Sequence, residues 1–268
     1  MGRKIFVGDI HGCKEELIQL LHKLNLVKGD RLFYVGDVID RGPDSLGALH
    51  LVRDTIKEFD GSGVSTGNHE EKALKKIKKG EFIEPWAKDA TDEDWEFIQS
   101  FPLYIFTDKR FVVHGGIFPA FWEQYKEGLP NVCPPDWRKK SGKKWKRARR
   151  FTMVRHVSKR GQMVTLGNES DETCHWTQRY KGELHPESDN PTDHRYPIIF
   201  GHDPMIIANA AGNVAFSCPL VSDFAIGLDT GCVFGGKLTA MVLDELINQY
   251  RFVQVQAKWA WAEPKLTK

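Results

Sequence analysis

Polar residues able to bind metal or move protons recur along this chain in short, glycine-flanked clusters. Asp9 and His11 sit in Gly8-Asp9-Ile10-His11-Gly12, and Asp37, Asp40 and Arg41 in Gly36-Asp37-Val38-Ile39-Asp40-Arg41-Gly42. Asn68 and His69 follow Gly67, His114 precedes Gly115-Gly116, His202 follows Gly201, and Asp229 stands just before Thr230-Gly231. Each cluster trails a short apolar run. In a sheet protein that places the polar groups at the C-terminal edge of the strands, where open α/β sheets bind ligands. Glycine there permits tight turns and a close backbone approach. Oxygen and nitrogen donors converging on one edge suit two transition-metal ions. A shared carboxylate would hold such ions about 3.5–4 Å apart. Taken singly, an Asp after a strand is a turn former or a helix cap. The conjunction of Asp-x-His, Asp-x-x-Asp-Arg, Asn-His and two further histidines at strand ends is what points to a metal centre.

The elements that must position these groups can be read from hydrophobic periodicity. Ile5–Val7 and Arg31–Val35 are expected to be buried strands, each ending at a Gly-Asp pair, and Val64 opens a weaker third. Leu17, Ile18, Leu20, Leu21 and Leu24 recur at helical spacing, as do Leu46, Leu49, Val52 and Ile56, and Glu71–Lys79 is helical in pattern. Alternating strand and helix predicts an α/β fold. Phe111–Val113, Ile198–Phe200 and Ala225–Leu228 are further strands, and Leu238–Leu243 is expected to pair with the last of them. These late strands lie too close together for helices between them. They predict a second sheet, hence a two-sheet β-sandwich flanked by helices, in a single domain over 1–268. From about 117 to 196 the pattern breaks down into Pro134-Pro135, tryptophans, charged residues and the Pro/Asp/His-rich run Leu184–Tyr196. This stretch is expected to be an irregular, cap-like insertion facing the substrate.

The clusters around Asp9, Asp37 and Asn68, with His114-Gly115-Gly116 and Gly201-His202, resemble the signature of the PPP-type, calcineurin-like metallophosphoesterases. The resemblance implies that Asp9 and His11, completed by His202, bind one metal, that Asp37 bridges, and that Asn68 and His114 bind the other. It implies two divalent ions, with manganese the leading identity and iron or zinc the alternatives. It makes His69 the proton donor to the leaving oxygen, Asp40 its orienting partner and Arg41 a phosphate clamp, a task suited to a planar guanidinium. Ile226–Ala240 and Trp176-x-x-x-Tyr180-x-Gly182 are similar to bacterial diadenosine tetraphosphatases, their ApaH-like relatives and the phosphatase domain of bacterial polynucleotide kinase-phosphatases. By that likeness Asp229 lies near the metals. Asp40 and the His-Gly-Gly triplet are more typical of Ser/Thr phosphoprotein phosphatases. The leading expectation is therefore hydrolysis of phosphate monoesters, including phosphoproteins. The alternative is hydrolysis of a dinucleoside polyphosphate or polyphosphate.

Composition narrows the setting without naming a partner. The chain has 268 residues, a net charge of +2 and a hydrophobic content of 41%, an ordinary globular balance. Its five cysteines show no Cys-x-x-Cys spacing, which argues against a disulfide framework and a zinc ribbon. No apolar run reaches the roughly 18 residues of a membrane span, and Phe6 stands where an N-myristoylation motif needs Ser or Thr. A cytoplasmic protein is expected. Gly231–Lys237 nearly fits a P-loop, but Leu238 replaces the magnesium-binding hydroxyl and a strand-like run follows instead of a helix. Arg138–Arg150 carries nine basic residues and no acidic one. It reads either as a polyanion funnel or as a solvated face. Arg179, ahead of Arg155, is the candidate for a second phosphate clamp. His156, His175, His185 and His194 are expected to be structural or surface residues.

Overall fold

A computed structural model of the chain describes residues 2–81, 83–107, 110–120, 130, 132–180, 197–208, 214–244, 246–247 and 249–264. The first half runs β1 (Lys4–Val7), α1 (Lys14–Leu24), β2 (Arg31–Tyr34), α2 (Ser45–Glu58), β3 (Gly63–Val64), α3 (Asn68–Lys79), α4 (Asp92–Ser100), β4 (Tyr104–Thr107) and β5 (Arg110–Val113). The insertion contributes α5 (Gly142–Ala148), β6 (His156–Ser158), β7 (Met163–Val164) and β8 (Thr173–His175). Then come β9 (Ile198–Phe200), β10 (Ile206–Ala208), β11 (Val214–Ser217), β12 (Leu220–Val221), β13 (Ala225–Gly227), β14 (Lys237–Asp244) and β15 (Gln249–Gln256).

Two five-stranded sheets dominate, in the orders β15-β14-β1-β2-β3 and β12-β13-β9-β5-β4. Strand periodicity explains why they stack. Along β1, Ile5 and Val7 face one core cluster with α1 and α2, while Phe6 faces another. The same alternation sends Phe33, Val112, Ile199, Ile226 and Met241 into the layer between the sheets, because successive side chains leave a strand on opposite faces. The outer face of the second sheet packs Phe111, Ile198 and Phe200 against Trp137, Phe151 and Trp176 of the insertion. The result is the expected sandwich, with helices on one side and the insertion on the other.

One strand pairing differs from expectation. β14 does not partner β13 but lies in the first sheet, antiparallel to β1, with Val7 opposite Ala240 and Lys4 opposite Leu243. The loop after Asp229 thus crosses from one sheet to the other. Apolar residues bury β14 on both faces, and such a strand is stable only between two neighbours. The second neighbour is β15, a polar edge strand. The segment from Gly231 to Lys237 leads into β14, so it has no helix with which to build a P-loop. Within the insertion the described residues form α5, the small sheet β7-β6-β8 and several 3-10 turns. His185, His194 and the Leu184–Tyr196 run lie outside the described residues. Among the described residues no helix is long and apolar enough to cross a membrane.

Candidate metal centre

Each motif sits where its strand ends. Asp9 and His11 follow β1, Asp37 to Arg41 follow β2, Asn68 and His69 open α3, and His114, His202 and Asp229 follow β5, β9 and β13. The loops after β1 and β2 are laced together by His11 N–H to Asp37 O at 2.8 Å and Gly12 N–H to Val38 O at 2.8 Å. Glu70 fixes a third segment to them. Its carboxylate accepts the backbone N–H of Asp37 (3.0 Å), Val38 (2.8 Å) and Gly67 (2.8 Å) while capping α3. Glu70 carries no role in the sequence motifs above; an acidic residue three past Gly67, at a helix start, was the available signal.

The backbone is strained where the chemistry is. His11 and Asp37 have φ of 49°, and Asp40, Arg41 and His202 have φ of 72°. Residues with side chains rarely adopt this region, and such outliers gather at functional sites. Close approach matters as well. A Cβ on Gly201 would fall on Oδ1 of Asp9, so the bare glycine lets that carboxylate accept the His202 N–H at 3.0 Å.

The donors present the right atoms. His11 donates Nδ1–H to Ile39 O (3.1 Å) and His114 donates Nδ1–H to Val35 O (2.9 Å). This leaves Nε2 of each ring for a ligand, the usual outer support of metal-binding histidines. Asp37 Oδ2 lies 3.5 Å from Nε2 of His11 and 3.1 Å from Nε2 of His114. Asn68 Oδ1 is 3.1 Å from that same His114 nitrogen. Two metal-capable groups close within 4.8 Å, His11–Asp37–His69 and Asp37–His114–His202, with Asp37 in both. Cationic guanidinium groups already approach two of the lone pairs, Arg41 at His11 Nε2 (2.9 Å) and Arg155 at His202 Nε2 (3.2 Å). The donor set therefore fits two cations sharing one carboxylate. His202 joins His114, with ring centroids 5.1 Å apart, rather than completing a set with Asp9 and His11. The parallel pairing of β5 with β9 explains this, since it brings their C-terminal ends together.

Electrostatics are correspondingly polarised. Burial alone would raise the Asp37 carboxyl, but His114 and His69 hold it well below the usual carboxylate value. Burial pushes His114 down, yet Asp37 and Asp9 lift it to about 10. Burial, then the neighbouring Asp229, keeps Asp9 well above the ordinary range. His11 falls to about 3, chiefly through burial. Burial also raises Asp229 to about 6. Its Oδ1 accepts Gly231 N–H at 3.0 Å, and its charge acts on Asp9.

Around the donors stand groups suited to phosphate. His69 gives Nδ1–H to Asp40 Oδ2 at 2.8 Å, and Trp86 Nε1–H holds the other Asp40 oxygen at 2.8 Å. Arg41 and Arg155, with Asn68 and His202, line a cavity of about 390 Å³ that is also lined by Met153, Met163, Leu166 and Phe234. Arg155 is further fixed by His202 O (3.0 Å) and Asp203 (3.3 Å). Arg179, the favoured second clamp, is exposed at the end of a 3-10 turn and does not line the cavity; Arg155 does. The turn Trp176–Gln178 commits its buried face to Trp176, which turns Arg179 outward. Of the basic run, Arg138 pairs with Glu71 at 2.6 Å. Arg149 donates to the carbonyls of Arg138 and Lys140, each at 2.7 Å. Arg138 thus ties the insertion to α3, and Arg149 ties two of its turns together. Trp86 came from a segment without a motif, and Arg155 was the second of the two candidate clamps.

The calcineurin-like phosphoesterase family matches residues 2–237, and the chain belongs to it. It is a metal-dependent phosphoesterase. The asymmetrical bis(5'-nucleosyl)-tetraphosphatase PrpE of Oceanobacillus iheyensis is 27% identical over 288 residues, covering 97% of this chain and 95% of the relative. A symmetrical bis(5'-nucleosyl)-tetraphosphatase of Neisseria meningitidis serogroup A is 30% identical over 271 residues, covering 89% and 91%. A solved structure, provisionally assigned as a diadenosine tetraphosphatase, superimposes with a TM-score of 0.63 at 26% identity, covering 94% and 93% of the two chains.

Proposed function

We propose that this metallophosphoesterase hydrolyses a phosphoanhydride bond in a dinucleoside polyphosphate. The cavity beside the donor groups carries this reading. Arg41 and Arg155 suit consecutive phosphates, while Met153, Met163, Leu166 and Phe234 offer an apolar wall for a base. Its size lies in the range of small-ligand sites, about 300–1,000 Å³. The near-full-length relatives named as tetraphosphatases support the same choice. The phosphomonoester reading, put first from the sequence, rests on Asp40 and His114-Gly-Gly. Those residues serve the metal core and leave the apolar wall unexplained.

Asp9, His11 and Asp37 would hold one ion, and Asp37, Asn68, His114 and His202 the other. Two divalent ions bound there supply Lewis acidity at the phosphoryl oxygens and an activated water. The nitrogen and oxygen donors suit manganese, iron or zinc, and manganese is the ion we assign. Arg41 and Arg155 then clamp non-bridging oxygens. His69, its Nδ1–H held by Asp40, delivers a proton from Nε2 to the departing oxygen. Asp40 stabilises the protonated ring, and Trp86 keeps Asp40 in place. The whole chain acts as one domain whose insertion, 117–196, caps the substrate. All five cysteines are free thiols, which fits a reducing, cytoplasmic compartment.

The test is a comparison of kcat/KM on manganese-loaded protein for diadenosine tetraphosphate, a phosphoserine peptide, polyphosphate and an aryl phosphate. The dinucleotide is expected to lead by more than about tenfold, roughly 1.4 kcal/mol of transition-state discrimination. Preference for the peptide would overturn the reading in favour of a phosphoprotein phosphatase.

A further inference from the structure

Away from the Asp37 centre, a second cluster of metal-ligating side chains lies inside the protein. Cys13 directly precedes α1, Glu16 lies one turn further on the same helix face, and Cys232 belongs to the loop between β13 and β14. Two sulfurs and a carboxylate oxygen from these residues all lie within 4.8 Å of one another. Cys13 is 0% exposed, Cys232 2% and Glu16 4%. The Cys13 thiol donates to His11 O at 3.9 Å.

Core packing accounts for the cysteines, which are small and apolar enough to join the cluster around Leu17. It does not account for Glu16. A carboxylate taken out of water needs a cation or a full set of hydrogen bonds. Glu16 accepts the Lys258 backbone N–H at 3.0 Å, and no ion pair to it occurs among the described residues. A buried carboxylate aimed at two thiols is a donor set. Zinc–thiolate bonds of about 2.3 Å place tetrahedral sulfurs about 3.8 Å apart, within the observed limit. Sulfur ligands select against magnesium and calcium and in favour of zinc-like ions.

We propose that Cys13, Glu16 and Cys232 bind one thiolate-seeking divalent cation of the zinc class. The site shares no residue with the Asp37 centre, and the two thiol protons leave to solvent on binding. Three protein donors leave one tetrahedral position for a small exogenous ligand. Cys13 is two residues past His11, and Cys232 three past Asp229. Occupancy therefore ties the loop after β1 to the loop after β13, next to the phosphoesterase centre.

The experiment is a cobalt titration of the reduced, chelator-stripped full-length protein. The Asp37 centre offers only nitrogen and oxygen, so sulfur-to-cobalt charge-transfer absorption in the near ultraviolet reports the thiolate site alone. The band is expected to develop in the wild type, to bleach on adding zinc, and to persist in Asp37→Asn. It should vanish in Cys232→Ser and in Cys13→Ser, with bound cobalt falling by one equivalent per chain. Glu16→Gln should keep the band while weakening cobalt binding by about tenfold. A wild type that loads cobalt without the band overturns the proposal, whatever the variants do. A band that survives Cys232→Ser overturns it too.

Discussion

His69 has one ring nitrogen tied to Asp40 at 2.8 Å, and its ring meets His11 edge-on at 4.8 Å between centroids. It stands close enough to the donors to be a ligand, yet its anchored Nδ1 suits a proton carrier. The two roles separate in His69→Asn. As proton donor, His69 should leave metal content unchanged when replaced. The rate on an alkyl phosphate, a poor leaving group, should fall by about 10²–10⁴. A nitrophenyl phosphate, which departs without a proton, should lose far less. Loss of metal from the variant, or a full rate on the alkyl phosphate, would reject the assignment. At this scale the sequence was legible where glycine-flanked motifs mark strand ends, as at Asp9, Asp37 and His202. It was silent for Trp86 and ranked Arg155 behind Arg179, because their positions depend on how a 3-10 turn and the insertion fold back over the sheet edge. Nor could it partition the ligands, because the company of His202 follows from the pairing of β5 with β9.

At the scale of elements, α4 shows a signal that can be checked without touching the site. Thr91 and Asp94 form a capping box, with Asp94 Oδ2 accepting Thr91 N–H at 3.0 Å and Thr91 Oγ1 accepting Asp94 N–H at 3.3 Å. The other Asp94 oxygen takes His50 at 2.8 Å and Arg53 at 3.1 Å. Thr91→Ala should lower unfolding free energy by about 1 kcal/mol without changing kcat, read by urea titration. The effect should depend on pH. Burial raises the Asp94 carboxyl, but bonds from Thr91 and His50 bring it below its ordinary 3.8. Its contribution is therefore present above 3.8 and lost as pH falls through the lower, folded value. The gap between variant and wild type should be full at pH 6 and narrow in strong acid. Strands and helices from β1 to α3 were legible because apolar residues repeat cleanly at periods of 2 and 3.6, whereas α4 and β4 went unread. β14 was legible as a strand but not in its place. Its neighbour in sequence is β13, whereas its neighbours in space are β1, some 230 residues earlier, and β15.

Over the whole molecule, a net charge of +2 conceals a concentrated basic face. The structure sorts the run from Arg138 to Arg150 into two kinds of residue. Arg138 and Arg149 are spent on Glu71 and on backbone carbonyls, so replacing them would test folding rather than attraction. Lys143, Lys146 and Arg150 are exposed and do not line the cavity, so any influence they have on substrate is long-range. Such an influence is bounded by screening, with a Debye length of about 10 Å at 0.1 M salt and 30 Å at 0.01 M. Steering by these groups predicts that the triple change Lys143→Gln, Lys146→Gln and Arg150→Gln raises KM for a polyanionic dinucleotide several-fold at low salt. It should leave kcat alone and move KM for a singly charged aryl phosphodiester little. The difference should disappear as salt is raised, since the residues never touch the substrate. An equal rise for both substrates, or one that persists at high salt, would show instead that the basic face is a solvated surface and that selection rests with Arg41, Arg155 and the apolar wall.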